Sequence, residues 1–183
     1  MTGRKGLLGA VLAGGQSRRF GSDKAMALLD GRPLIEHVVA SLLPQVEDVL
    51  IVGRHVAGHA CRPDRPSAGL GPLGGLCAAL RHAAACGYEA VLSAGCDTPF
   101  LPGDLAKRLS AGAPSHIAGN SLIGCWPSDL AGRLDEHLAR AGDRSMREWA
   151  RIAGARAIAL PLPIANVNTR RDLESLRQEG AMP

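Results

Sequence analysis

Apolar runs of strand length alternate with helical patterns from one end of this chain to the other, and that alternation leaves little choice of fold. The first run covers about Leu7–Ala13, the second Val49–Val52 and the third Ala90–Ala94. Between them, Leu34, Val38 and Leu42 recur at four-residue spacing after Pro33. Leu73, Leu76, Cys77, Leu80 and Ala84 repeat with a helical period after Pro72. Strands that are apolar throughout are buried on both faces, and strands separated by a helix of ten or more residues run parallel through right-handed crossovers. The pattern predicts an α/β protein, a three-layer sandwich in which a mainly parallel sheet carries helices on both faces.

Further along, Pro102 opens a short helix through about Leu109, and Leu130, Leu134 and Leu138 mark another. Ser145 with Glu148 reads as a capping box, Ala155–Leu160 as a late strand, and Thr169 with Asp172 as the cap of a last helix. The segment Ser115–Trp126 shows no clear period and reads as irregular or weakly stranded. No repeat or linker interrupts the 183 residues, so the expectation is one domain, 1–183.

Composition narrows the function. Aromatic residues make up only 3%, too few for the stacking platforms of RNA-recognition and single-strand-binding modules. The net charge is +4 and no Lys/Arg run exceeds two residues, so nucleic acid has no docking stripe and a small anionic ligand fits better. No apolar stretch approaches the ~20 residues of a membrane span. Arg4 and Lys5 before Gly6–Ala13 imitate a signal peptide, but Gly14-Gly15 and Arg18-Arg19 follow at once, which suits an N-terminal strand. Five cysteines without a Cys-x-x-Cys pair are expected to be reduced thiols in a cytoplasmic protein.

In a parallel α/β sheet ligands bind outside the carboxyl ends of the strands, and four polar motifs fall there. Leu12-Ala13-Gly14-Gly15 leads into Gln16-Ser17-Arg18-Arg19-Phe20-Gly21-Ser22-Asp23-Lys24. Backbone N–H groups at the two glycines can cradle phosphate oxygens while Lys24 and Arg18 or Arg19 supply charge. Neither the dinucleotide fingerprint nor the P-loop spacing is present. Cys96-Asp97-Thr98-Pro99 follows the third strand, where a carboxylate can hold Mg²⁺ with phosphate and water completing the octahedron. An Asp-initiated turn before Pro99 is the plainer alternative. Asp64 precedes Gly69-Leu70-Gly71-Pro72-Leu73-Gly74-Gly75, a glycine-rich entry that lets a base or ribose approach the backbone. In Asn166-Val167-Asn168-Thr169 the two amides point to one side of an extended segment, suited to ribose, phosphate or a metal-bound water, or simply to capping a helix. His55, His59 and Cys61 lack a second ligand pair at zinc spacing and read as loop residues. No Gly-x-Ser-x-Gly elbow is present.

The four motifs, in this order and from the first strand to the last helix, resemble the molybdenum cofactor guanylyltransferases of the nucleotidyltransferase group. The resemblance implies a Rossmann-like sheet and transfer of GMP from GTP to the phosphate of molybdopterin or Mo-molybdopterin, with pyrophosphate released. It implies that Leu12, Ala13, Gly14, Gly15 and Lys24 bind GTP, with Gly71 in the same site. Asp64 then lies near the nucleoside, Asp97 holds Mg²⁺, and Asn166 and Asn168 line the acceptor side. Lys24, Asp97, Arg18 and Arg19 are the expected catalytic set. Gly14, where related cytidylyltransferases usually carry alanine, favours GTP over CTP. A methyl there is expected to crowd a purine, and to strain the backbone if φ is positive. Cofactor-delivery proteins and molybdoenzyme chaperones are the implied partners. Asn120–Trp126 stands where relatives commonly place a His-Pro pair, so the acceptor side departs from the pattern. A cytidylyl- or sugar-phosphate nucleotidyltransferase, or a non-catalytic nucleotide-binding carrier, would share the first loop.

Overall fold

The computed structural model describes residues 5–14, 20–21, 23–140 and 142–180. Its elements in chain order are β1 (Lys5–Leu12), β2 (Leu28–Leu29), β3 (Arg32–Pro33), α1 (Leu34–Leu42), β4 (Asp48–Val52), β5 (Ala60–Arg62) and α2 (Pro72–Cys86). They continue with β6 (Tyr88–Gly95), α3 (Leu105–Ser110), β7 (Ser115–Ile117), β8 (Asn120–Pro127), α4 (Ala131–Ala139), α5 (Met146–Ala153), β9 (Arg156–Ile158) and α6 (Arg170–Gly180). Strands β2 and β3 form a small hairpin, and the others join a seven-stranded sheet in the order β5-β4-β1-β6-β8-β7-β9. Strands β5, β4, β1 and β6 pair in parallel, β8 runs against both β6 and β7, and β9 is parallel to β7.

The three layers follow from which side chains each strand turns to which face. Leu8, Ala10 and Leu12 of β1, with Leu50 and Val52 of β4, pack against α2, α4 and α5. Val11 and Ile51 turn the other way, onto Ile35, Val38, Val39 and Leu42 of α1 and Leu105 and Leu109 of α3. Burial on both faces explains why these strands read as continuous apolar runs. A third cluster joins Phe20, Leu29 and Leu34 to Val167 and Leu173, tying α6 to the hairpin at the strand ends where the first loop lies.

Several helix starts fall where the sequence puts them, but α3 begins at Leu105 after Asp104 and not at Pro102. Pro72 stands at the first turn of α2 after Gly71 (φ +64°), and Gly87 (φ +83°) ends that helix in the left-handed conformation. The Ser145 hydroxyl accepts from the Glu148 amide at 3.1 Å. The Thr169 hydroxyl accepts from the Asp172 amide at 3.2 Å, and the Asp172 carboxylate accepts in return from the Asn168 and Thr169 amides, each at 2.8 Å.

The segment 115–126, expected to be irregular or weakly stranded, takes the stranded form. It forms a β-hairpin turning at Gly119 (φ +81°), and β8 is inserted antiparallel beside the central strand β6. Trp126 enters the α2 side while Ile123 and Cys125 enter the α1 side, so polar alternation is absent. The Ser93 hydroxyl of β6 donates to Leu122 O at 2.6 Å and accepts from Trp126 Nε1 at 2.9 Å, which satisfies both polar groups inside the sheet.

Candidate nucleotide site

At the carboxyl ends of β1, β4 and β6 the sheet opens into a cleft with a cavity volume of about 170 Å³. Leu12, Ala13, Gly14, Lys24, Asp64, Gly71 and Asp97 all line it, as do Arg54, Gly75, Gly95, Cys96 and Leu122. Residues drawn from three of the four sequence motifs thus meet on one surface. Gly15, Arg18 and Arg19 lie outside the described residues.

The end of β1 is fixed from both sides. Ala13 N donates to Val52 O at 2.8 Å, and Cys96 N donates to Leu12 O at 3.3 Å. Gly53, just past β4, sits at φ +91°, and a Cβ there would lie 2.5 Å from both the Cα and the N of Gly14. Two backbones therefore touch where the first loop begins, and only glycine admits the approach. In the sequence Gly53 is only the residue after the apolar run Val49–Val52, and its role needs the β1–β4 pairing to be known.

Asp64 is enclosed by glycines. A Cβ at Gly14 would meet its Oδ2 at 2.8 Å, one at Gly53 its Oδ1 at 3.0 Å, and one at Gly75 its Oδ1 at 3.5 Å. Arg65 N donates to Gly74 O at 3.1 Å and pins this segment to the start of α2. Gly14 is outside the left-handed region, so the backbone-strain reason for glycine there does not hold; the group a methyl would first strike is the Asp64 carboxylate. Burial raises the Asp64 carboxyl above its ordinary value of 3.8. For an acid whose folded value is raised, stability falls as pH climbs from the unfolded value through the folded one, and the cost persists above it. Asp64→Asn is therefore expected to raise the melting temperature at pH 7, with the gain vanishing in acid below about 3.8. Thermal unfolding at the two pH values checks it, and a variant less stable than the parent at pH 7 would count against the burial cost.

Across the cleft, Lys24 Nζ and Asp97 Oδ2 form an ion pair at 2.7 Å, with the side chains 14% and 20% exposed. Lys24 opens a 3₁₀ turn, Lys24–Met26, whose Ala25 is buried on the α1 side and so anchors the lysine. Asp97 is held by its neighbours: Thr98 Oγ1 donates to Gly95 O at 2.9 Å, and Val167 N donates to Asp97 O at 2.8 Å. A Cβ at Gly95 would collide with Asp97 Oδ1, so this glycine, too, makes room for the carboxylate.

The 166–168 segment runs beside Asp97 through that Val167 bond, with Val167 buried and both asparagines exposed. Asn166 and Asn168 lie outside the lining of the cleft. Helix capping falls to Thr169 and Asp172, not to the asparagine amides. The His55, His59 and Cys61 group is not a metal centre: His59 Nε2 pairs with Glu36 at 2.8 Å, and Cys61 bonds the backbone of Val56 and His59. Among the described residues no three His, Cys, Asp or Glu side chains gather to hold a metal. All five cysteines are free. Burial, as the largest cause, pushes the Cys96 thiol up to about 11 and those of Cys77 and Cys125 up to about 12, which disfavours the thiolate of these three near neutrality. Nor is any helix among the described residues long and apolar enough to cross a membrane.

The fold is similar to a solved structure of molybdopterin-guanine dinucleotide biosynthesis protein A from Archaeoglobus fulgidus, with a TM-score of 0.77 over 95% of this chain and 98% of that one, at 22% identity. By family the chain is a nucleotidyltransferase. Residues 9–179 match the MobA-like NTP transferase domain. The sequence is 43% identical to a molybdenum cofactor guanylyltransferase of Rhodobacter capsulatus over 95% of this chain and 98% of the relative. It is 37% identical to one of Acidiphilium cryptum, over 92% and 93% respectively. The chain belongs to the molybdenum cofactor guanylyltransferase family.

Proposed function

We propose that this protein transfers GMP from GTP to the terminal phosphate of molybdopterin, free or carrying molybdenum, and releases pyrophosphate. The observation that carries the reading is the cleft itself, where a glycine turn, an amine and two carboxylates converge at the ends of adjacent strands. The names borne by relatives at 43% and 37% identity supply the base and the acceptor.

The acceptor is a phosphate monoester whose second pKa is near ~6, so it is already an anionic nucleophile and needs no general base. Its oxygen forms a bond to the α-phosphorus of GTP as the bond from that phosphorus to the β-phosphate oxygen breaks, and the electron pair leaves with pyrophosphate. The protein's task is alignment and charge neutralisation. Lys24 is placed to leave Asp97 and take up charge on the triphosphate, with the first-loop arginines as its expected partners. The freed Asp97 carboxylate suits Mg²⁺, an ion that needs only one or two protein carboxylates when phosphate and water fill its other positions. Bound there, Mg²⁺ would supply electrostatic stabilisation of the transferring phosphate. Asp64, opposite, is an acceptor for nucleoside N–H or O–H donors, and a cytoplasmic setting suits the five free thiols.

GTP is expected to be used strongly over CTP, because a site built to hydrogen-bond one base leaves buried polar groups unpaired with another. Pyrophosphate release measured with each nucleoside triphosphate, with and without molybdopterin, tests this. Equal efficiency with CTP would move the assignment to another nucleotidyltransferase, and nucleotide binding without pyrophosphate release to a carrier.

A further inference from the structure

Arg54 lines the cleft from the end of β4, directly after the glycine that touches the first loop. Its Nη1 donates to both carboxylate oxygens of Asp23, at 2.9 and 3.0 Å. Its Nε is buried with no hydrogen-bond partner. A buried N–H left without an acceptor is costly, and such groups in folded proteins call for an explanation. Here the explanation lies in what surrounds it. The chain neighbour of Asp23 is Lys24, whose amine rests on Asp97 at 2.7 Å. Among the described residues the two cations that line the cleft, Lys24 and Arg54, are therefore both parked on carboxylates before any anion enters.

The two pairs are unequal. Asp97 is largely enclosed at 20% exposure, whereas Asp23 is 48% exposed. An ion pair with an exposed carboxylate is worth little, so exchanging that partner for a phosphate is energetically easy. A guanidinium presents a planar fork of donors that matches phosphate oxygens two at a time, and in Arg54 the Nε–H, one of the donors of that fork, has no acceptor.

We propose that Arg54 is a triphosphate ligand of this site, held in position by Asp23 until nucleotide arrives and then bound to phosphate oxygens through its unused donors. The proposal rests on the nucleotidyltransferase reading and adds to it a residue outside all four sequence motifs. Two other roles are distinguishable from it. As a brace, Arg54 would act only by anchoring the turn that carries Lys24. As a base reader, it would hold the O6 and N7 edge of guanine, a pairing that arginine also favours.

The test is nucleotide affinity, by calorimetry with GTP and by competition with guanosine and with inorganic tripolyphosphate, for the parent, Arg54→Ala, Arg54→Lys and Asp23→Asn. Arg54→Ala is expected to weaken GTP and tripolyphosphate about ten- to hundredfold while guanosine is unaffected, because the lost contact is charge-assisted and lies on phosphate. Arg54→Lys should recover part of the loss by keeping the charge without the fork. Asp23→Asn should bind GTP as tightly as the parent or more tightly, since the competing carboxylate charge is gone. Unchanged GTP affinity in Arg54→Ala overturns the proposal. So does equal weakening of GTP and guanosine, which assigns the base edge, or an Asp23→Asn loss matching that of Arg54→Ala, which assigns the brace. A parent protein that binds another nucleoside triphosphate in place of GTP would overturn the guanine reading alone, and the tripolyphosphate arm would still decide Arg54.

Discussion

Lys24→Ala and Asp97→Asn are each expected to lower turnover about 10²–10³-fold, the usual consequence of deleting one preorganised charge at a reacting phosphate. Neither should unfold the protein. Both side chains face the cleft and pair with each other rather than with core groups, and their neighbours are fixed independently by Ala25 in the α1-side core and by Thr98 and Val167 around the Asp97 backbone. An interaction that matters more in the transition state than in the ground state moves kcat, while one made equally in both moves KM. The amine is expected to show mainly in kcat, because charge gathers on the departing pyrophosphate. Steady-state kinetics together with thermal unfolding checks the pair of variants. Near-parental turnover in either folded variant would remove that residue from the mechanism.

The legibility of this site in the sequence varies with the kind of interaction that builds each part. Lys24, Asp97, Asp64 and the Gly14 turn were readable because each follows an apolar run or precedes a proline-opened helix, and a parallel sheet brings all such ends to one edge. Gly53 and Arg54 were not, since nothing about a glycine ending a strand reveals that another backbone lies against it. Strand β5 was missed because Ala60–Arg62 is a short edge strand with no apolar run of its own. Strand β8 reads only as irregular or weakly stranded for the opposite reason: buried on both faces, Ile123 to Trp126 lack the alternation that marks a typical antiparallel strand. That insertion also brings Leu122 to the rim of the cleft. The segment 120–126 therefore borders the cleft.

Gly53→Ala should damage both stability and turnover. At φ +91° an alanine is strained wherever it sits, and conformations of this kind cost on the order of 1–3 kcal/mol. Here the methyl would also stand 2.5 Å from the Cα and N of Gly14, which are backbone atoms that cannot rotate away. To restore ordinary contact the start of the first loop must move by about 1 Å, and displacements of that size in positioning groups can cost about 10² in rate. The contrast with Gly14→Ala is instructive, because there the methyl meets a carboxylate oxygen of Asp64, the end of a side chain that can swing aside. Its effect should fall on nucleoside recognition rather than on the whole loop. Gly58 is the control for strain alone: its φ is +82°, but nothing lies within 4 Å of a Cβ placed there. Gly58→Ala is expected to lower the melting temperature and leave turnover intact, whereas Gly53→Ala should lower both, with turnover down about 10²-fold even where the protein is fully folded. If the two variants lost stability alike and both kept parental turnover, the close approach of β4 to the first loop would have no part in positioning the nucleotide.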